Sequence, residues 1–369
     1  MNGEHSATTD ERDEQTTDDT RTQTMTTDRS RLCRTFQTAP AAVPRENTAK
    51  YLDSGLSATG FQKPDWLVPD IEDGTAPDMK SEALDNVVDR LPDAEFVGEV
   101  WPRVEWSYED ERFRDRGREQ IRTLVREVGE FVDGVVVPKV GRLDDVKRAE
   151  RVVAEAEREY GYAEGSVGLS VIVESARAVS DLREISQWGG ESRLHGLVFG
   201  PVDYTAELGG RELDGQPPTW DSLLWRLSNE ASANGLVALG GPFDRLFGER
   251  AGVRFYNGEA YADQVEREAQ VGLDGSWSLH PNQTAQANRV HMPSPSELAG
   301  DVQRIESFHE AKGDGTGAVV VDGQMVDEAT YKNFVNTVET VTVIHEVAPE
   351  QTTTLYDEEL LDRAFDLDL

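Results

Sequence analysis

The feature that most constrains this chain is an alternation of eight short, nearly continuous apolar runs with segments of helical spacing. The runs are RTFQTAP from Arg34, DWLVPDIED from Asp65, EFVGEVWPRV from Glu95, DGVVVPKV from Asp133, VGLSVIVES from Val167, LHGLVFGPVDY from Leu194, NGLVALGGP from Asn234 and GSWSLHP from Gly275. Such strands suit a parallel sheet that is covered by helices. Between them, LDDVKRAERVVAEAEREYG places Val146, Ala149, Val152, Val153 and Ala156 on one helical face. Similar spacing predicts helices over 80–91, 112–131, 176–188, 219–233 and 259–272. Eight units at intervals of roughly 35 residues fit an α/β fold closed as a (β/α)8 TIM barrel better than an open, doubly wound sheet.

The barrel is expected over residues 31–292, between two different termini. Residues 1–30 hold nine threonines, eight acids and three arginines with almost nothing to bury, so they read as a disordered acidic tail. Residues 293–369 read as a C-terminal α/β extension. Leu298, Val302, Ile305 and Phe308 share a helical face that Gly313 and Gly315 can end. AVVVDGQMVDEATYKNF then reads as a hairpin with an Asp-Gly turn and a helix starting near Glu328, with Asp327 as its N-cap.

Charge narrows the class further. The formal net charge is −34, and seven lysines among 37 cationic residues leave 30 arginines. That sign disfavours nucleic acid as a partner. An even spread of carboxylates with few lysines resembles the proteins of salt-in halophiles, where about 1 M salt shrinks the screening length to about 3 Å. There is no run of 18 apolar residues for a membrane span and no secretory apolar region in the first thirty residues, so the cytoplasm is the expected location. The single Cys33 reads as an inert packed residue.

In such a barrel, ionisable residues at the C-terminal ends of strands converge on one mouth. The runs end in Asp70, Glu72 and Asp73, then Arg103, Lys139, Glu174, Asp203 and His280. Glu174 and Asp203 follow adjacent strands, and two uncompensated carboxylates side by side would raise each other's pKa. A hard divalent cation resolves this, Mg²⁺ first and Mn²⁺ as an alternative, since Mg²⁺ takes one or two carboxylates and keeps its other positions for water and substrate oxygens. No His/Cys cluster has zinc spacing. Arg103 is the natural counter-group for an oxyanion, with a salt bridge to Glu72 and Asp73 as its structural alternative. Glu72 and Asp73 are expected to orient Arg103, metal-bound water or Lys139. Asp70 is expected to face the rim, and Asp78 to cap the helix from Met79.

VPDIEDGTAPDMK, WPRV, VVVPKV, SVIVES, VFGPVDY, SLHPNQ and DGQMVDEATY occur in order from about Leu32 to Thr340. Together they resemble the citrate lyase β-subunit-like (HpcH/HpaI aldolase/citrate lyase) family, and within it the haloarchaeal branch of malyl-CoA/β-methylmalyl-CoA lyases and an unusual malate synthase. The resemblance implies a barrel whose extension reaches a neighbouring subunit's active site in a homotrimer or homohexamer. It also implies Mg²⁺ on Glu174 and Asp203, Arg103 stabilising the enolate of an acyl-CoA thioester, and Asp327 as acid/base for the thioester α-carbon. Pro201, inside VFGPVDY, is grouped with the substrate-side residues.

The reaction implied is reversible cleavage of a β-hydroxyacyl-CoA to glyoxylate and acetyl-CoA or propionyl-CoA. A malate synthase, which hydrolyses the thioester after condensation, ranks second, and a catalytically silent CoA-binding subunit third. Arg34 and Lys50, near the first strand and helix, are candidates for the phosphates of CoA. The first run reads LCRTFQTAP where many relatives carry an Arg-Ser pair and a Pro-Gly end, a departure on the CoA side.

Overall fold

A computed structural model describes residues 32–211, 219–250, 252–313 and 315–369. The tail expected over residues 1–30 lies outside these. The strands are β1 (Thr35–Pro40), β2 (Trp66–Asp70), β3 (Glu99–Val100), β4 (Gly134–Val137), β5 (Gly168–Val173), β6 (Leu194–Phe199), β7 (Val237–Leu239), β8 (Phe247–Arg250), β9 (Val253–Tyr256), β10 (Ser276–Ser278), β11 (Ala318–Val321) and β12 (Gln324–Asp327).

Eight of these strands are parallel and fall into two four-stranded arrays, ordered β10-β1-β2-β3 and β4-β5-β6-β7. Single parallel bridges from Arg103 to Val136 and from Leu239 to Gly275 join the arrays at their two seams, and one from Asp70 to Arg103 extends the pairing of β2 with β3. The pairing therefore runs round a ring, which an open doubly wound sheet does not do. Alternation along each strand sets the layers. Phe36, Trp66, Val68, Val136, Ile172 and Val198 fill the barrel interior, while Leu67, Val135, Val137, Val171 and Leu197 pack under the helices. The indoles of Trp66 and Trp101 stack at 4.2 Å. A Cβ on Gly134 would sit 2.1 Å from Trp101, so only glycine admits that ring.

The helices follow the apolar periodicity closely: Lys80–Arg90, Glu111–Val128, Leu143–Tyr160, Asp221–Ser232 and Gly258–Gln270. The helix expected over 176–188 is instead two, Ala176–Ser180 and Leu182–Gly189, hinged at Asp181. The helix from Lys80 has Met79 as N-cap and no side-chain cap, so Asp78 does not serve that role; Pro77–Met79 forms a separate 3-10 turn. The antiparallel pair β8–β9 was not evident in the sequence. Among the described residues no helix is long and apolar enough to cross a membrane.

A second apolar core lies C-terminal to the barrel. The helix Pro295–Gly313, the hairpin β11–β12 and the helix Glu328–Val347 bury Leu298, Val302, Phe308, Val326, Val338 and Ile344 together. Asp322 and Gly323 at the hairpin turn have φ of 50° and 80°, the left-handed pair that a two-residue turn needs. Two further helices, Pro349–Leu355 and Glu358–Phe365, complete the extension.

Candidate active site

The barrel delivers its polar strand ends to one mouth, and the first cation there is Arg103, just beyond β3. Its Nε donates to Asp70 Oδ1 at 2.8 Å and its Nη2 to Asp70 Oδ2 at 2.5 Å. Nη1 stands 3.3 Å from Glu72 Oε2, a longer and looser contact. The guanidinium also lies 5.5 Å from the Trp277 ring. Asp70 is 2% exposed and receives the backbone N–H groups of Glu72 and Gly74, both at 2.9 Å. Asp70 therefore does not face the rim as expected: it is the principal clamp on Arg103, and a buried arginine needs such a partner. Burial works against the charge on Arg103, but Asp70, Glu72 and Glu174 outweigh it and raise its pKa.

Lys139 follows β4 and crosses the mouth. Its Nζ donates to Glu72 Oε1, and to Asp73 Oδ2 at 2.6 Å. Burial lifts the Glu72 carboxyl above the usual range despite Arg103 and Lys139, whereas Asp73, more open, is pulled below it by the hydrogen bond from Lys139. The same lysine's backbone N–H donates to Glu174 Oε1 at 2.6 Å.

Glu174, immediately after β5, is 6% exposed. Its pKa is pushed up to about 8, first by burial and then by the charges of Asp203 and Glu72. Asp203 lies exposed in the first turn of the helix Pro201–Glu207, behind the helix-starting Pro201. A buried carboxylate raised by a neighbouring carboxylate, with hard oxygens only, is a donor set that fits Mg²⁺ or Mn²⁺. Among the described residues no three His, Cys, Asp or Glu side chains converge for a metal, and Mg²⁺ does not need three, because substrate and water supply the rest.

Arg34 is not at this mouth. It precedes β1, at the opposite pole, six strand residues or about 20 Å away. It is 1% exposed, and its guanidinium holds Asp65 through two contacts of 2.7 and 2.9 Å and Gln351 of the extension at 2.9 Å. The expectation that it binds CoA phosphates is corrected: it fastens the extension to the base of the barrel. Lys50 opens the first helix after β1, on the mouth side, and is exposed; Lys50 and Arg45 lie 5.9 and 5.8 Å from the Tyr51 ring. His280 caps the helix Pro281–Val290 through Nδ1, which accepts from Asn282, and burial lowers its pKa.

Asp327 ends β12 and is an N-cap, as its sequence suggests. Its Oδ1 accepts from Ala329 and Thr330 N–H at 3.1 and 3.0 Å, and Thr330 Oγ1 accepts from the Asp327 N–H. These contacts hold its carboxyl below the usual range. Among the described residues of one chain, none of its hydrogen bonds reaches the strand-end cluster.

The sequence profile of a known family matches residues 53–281, which span β2 to β10 and therefore every one of these strand ends. The chain belongs to the HpcH/HpaI aldolase/citrate lyase family. Like other members of this family of aldolases and lyases, it is a carbon–carbon lyase. The chain is 63% identical over 342 residues to the L-malyl-CoA/β-methylmalyl-CoA lyase of Haloarcula marismortui, covering 92% of this chain and 99% of that protein. It is 35% identical over 291 residues to the malate synthase of Haloferax volcanii, covering 75% of this chain and 65% of that one. The solved magnesium/glyoxylate complex of Haloferax volcanii malate synthase superposes with a TM-score of 0.66 at 30% identity, covering 91% and 98% of the two chains.

Among the site residues of this HpcH/HpaI family member, the sequence places Asp70 at a strand end without marking it as the partner of Arg103, and gives Lys139 no role of its own. The signal for Asp70 was its place as last residue of β2, one strand from Arg103.

Proposed function

We propose that the chain is a Mg²⁺-dependent lyase, with Mn²⁺ as a substitute, that reversibly cleaves malyl-CoA and β-methylmalyl-CoA to glyoxylate and acetyl-CoA or propionyl-CoA. The observation that carries this is the pairing of a locked arginine with a carboxylate in want of a cation. Arg103 has two of its nitrogens committed to Asp70 and one nearly free, and Glu174, near enough for its charge to act on Arg103, has its own pKa pushed up to about 8 by burial and by Asp203. The near full-length similarity to a malyl-CoA/β-methylmalyl-CoA lyase supports the same substrates.

Glu174 and Asp203 would hold the metal, which when bound supplies Lewis acidity toward the hydroxyl and carbonyl oxygens of the C4 or C5 acyl group. The thioester oxygen then lies toward Nη1 of Arg103, whose charge is fixed in a dry site and needs no reorganisation as the enolate forms. Asp327 of a neighbouring subunit moves the proton at the α-carbon. Its cap hydrogen bonds fall on Oδ1 and keep it ionised, leaving Oδ2 for the proton. Pro201 starts the short helix that carries Asp203, and Lys50, with Arg45 and Tyr51, offers cations and a ring to the nucleotide end of CoA.

The distance of Asp327's local hydrogen bonds from the strand-end cluster in one chain supports the reading that a neighbouring subunit completes the site, in a trimer or hexamer. Val320 and Met325, paired directly across its hairpin, are 69% and 58% exposed, which supports a neighbour on that face. To test the reading, malyl-CoA is supplied with Mg²⁺ in molar KCl, and glyoxylate is trapped as its phenylhydrazone. Glyoxylate and acetyl-CoA should appear in equal amounts and disappear with EDTA; cleavage unaffected by EDTA, or no glyoxylate from either ester, would overturn it.

A further inference from the structure

Lys139 has a backbone conformation that its neighbours do not explain by secondary structure. Its φ is 49°, in the left-handed region, where residues with a side chain seldom lie. Every polar group it owns is nevertheless engaged. The N–H reaches Glu174, the C=O accepts from the Tyr108 N–H at 3.0 Å, and Nζ spans the mouth to Glu72 and Asp73. A right-handed or extended residue at this position would send the N–H and the side chain in other directions, so the unusual φ is what lets one residue touch both sides of the mouth.

The contact with Glu72 has a consequence for Arg103. Glu72 divides its oxygens: Oε1 goes to Lys139, and Oε2 accepts the Asp73 N–H at 2.7 Å and stands 3.3 Å from Nη1 of Arg103. That separation lies beyond the usual range of an N–H···O bond to a carboxylate, about 2.7–2.9 Å. Lys80 also stands here, but its Nζ donates to the backbone C=O of Glu72 at 2.5 Å and leaves the carboxylate alone, so a Glu72 carboxylate not shared with Lys139 would take Nη1 of Arg103 for itself.

We propose that Lys139 is the positioning residue of the site: its side chain keeps Glu72 from capturing Nη1 of Arg103, and its backbone N–H separately aims Glu174. The inference rests on the lyase reading for the role of Nη1, and it divides the site into two halves that can be perturbed one at a time. The side-chain half serves the thioester oxygen. The backbone half serves the metal carboxylate and survives any substitution that keeps the N–H.

The test uses Lys139→Met and Lys139→Arg in the full-length protein, with melting temperature as a check on folding. Lys139→Met should lower kcat for cleavage by roughly 100-fold, the effect of losing one oxyanion donor when Glu72 takes Nη1, while the half-saturating Mg²⁺ concentration stays within about twofold. Lys139→Arg should recover at least about tenfold of that loss, because a cation again shares Glu72. A kcat within about threefold of wild type in Lys139→Met, a Mg²⁺ requirement that rises in step with the loss, or an arginine variant no better than methionine would each overturn the inference. A crystal structure of Lys139→Met adds a readout that needs no turnover. The Nη1 to Glu72 contact should shorten from 3.3 Å into hydrogen-bond range. An unchanged distance tells against Lys139 even if the wild type cleaves neither ester, whereas wild-type inactivity with a shortened contact tells against the lyase reading alone.

Discussion

Gly200→Ala tests whether the placement of Glu174 governs the chemistry without removing any functional group. Gly200 follows β6 and has φ of −107°, a conformation open to alanine, so backbone strain is not at issue. Its added Cβ would lie 2.5 Å from the Cβ of Glu174, 2.6 Å from Oε2 and 2.9 Å from Cγ2 of Ile172. Carbon atoms settle at about 3.5–4.0 Å, so one side must yield by about 1 Å. Gly200 is pinned by its N–H to Val173 C=O at 3.2 Å, and its own C=O accepts from Tyr204 at 3.3 Å. The displacement therefore falls on Glu174, at a stability cost of about 1–3 kcal/mol for overpacking. A 1 Å misplacement should cost roughly 100-fold in kcat/KM, with a higher Mg²⁺ requirement. The assay is cleavage of malyl-CoA across a Mg²⁺ titration, with thermal melting on the same samples. A variant that melts a few degrees lower but keeps kcat/KM and Mg²⁺ dependence within about threefold would refute the claim that Glu174 is a placed metal carboxylate.

Three further perturbations reach other parts of the account. Arg34→Met leaves Asp65 buried without its partner and should destabilise the fold by about 3–5 kcal/mol, seen as an earlier denaturation midpoint, while kcat of the folded enzyme is unchanged; a selective loss of CoA-ester affinity would restore Arg34 to the binding site. Glu268, fully buried against Ser276 and Gln264, has its pKa raised from 4.5 to about 7 by burial. Its protonated form is the one folding favours, so its contribution is fully present below about pH 4.5 and is lost as pH rises through about 7, amounting to about 3 kcal/mol. Glu268→Gln should flatten the fall of melting temperature between these limits, and an identical slope in both proteins would contradict the assignment. Finally, Asp327→Ala and Arg103→Met are each expected to be inactive, and mixing them under conditions that exchange subunits should restore about a quarter of the sites by random assembly. No recovery from exchanged oligomers would place Asp327 and Arg103 in the same chain's site or in none.

The parts of the fold legible in the sequence are those set by periodicity. The eight apolar runs and the Val146 to Ala156 stripe appear where the pattern puts them, because burial of one face or both is what the pattern records. The pair β8–β9 escaped because LFGERAGVRFY is short, half polar and exposed at Phe247, Val253 and Phe255, so burial left no imprint on it. At the site, a residue's pole follows from its side of the strand. Glu174 and Lys139 come after their strands and reach the mouth; Arg34 comes before β1 and could not, a signal present in the sequence and overridden by its charge. The partners of Arg103 were harder to read. Asp70, Glu72 and Asp73 stand within four residues, and which one faces Arg103 depends on the turn through Gly74 and Thr75, which returns the Gly74 N–H to Asp70 Oδ2 and the Thr75 hydroxyl to Asp70 C=O at 2.6 Å. The left-handed turn at Lys139 carries no sequence mark at all, since lysine is an unusual residue to find there.

The most direct measurement runs the reaction in the direction of carbon–carbon bond formation. Glyoxylate and propionyl-CoA or acetyl-CoA are incubated with the enzyme and Mg²⁺ in molar KCl, and the acyl-CoA products and free thiol are followed together. A β-hydroxyacyl-CoA that accumulates to equilibrium, with no stoichiometric thiol release and with dependence on Arg103, is the result predicted. Free thiol released in step with malate would contradict the lyase and identify a malate synthase instead.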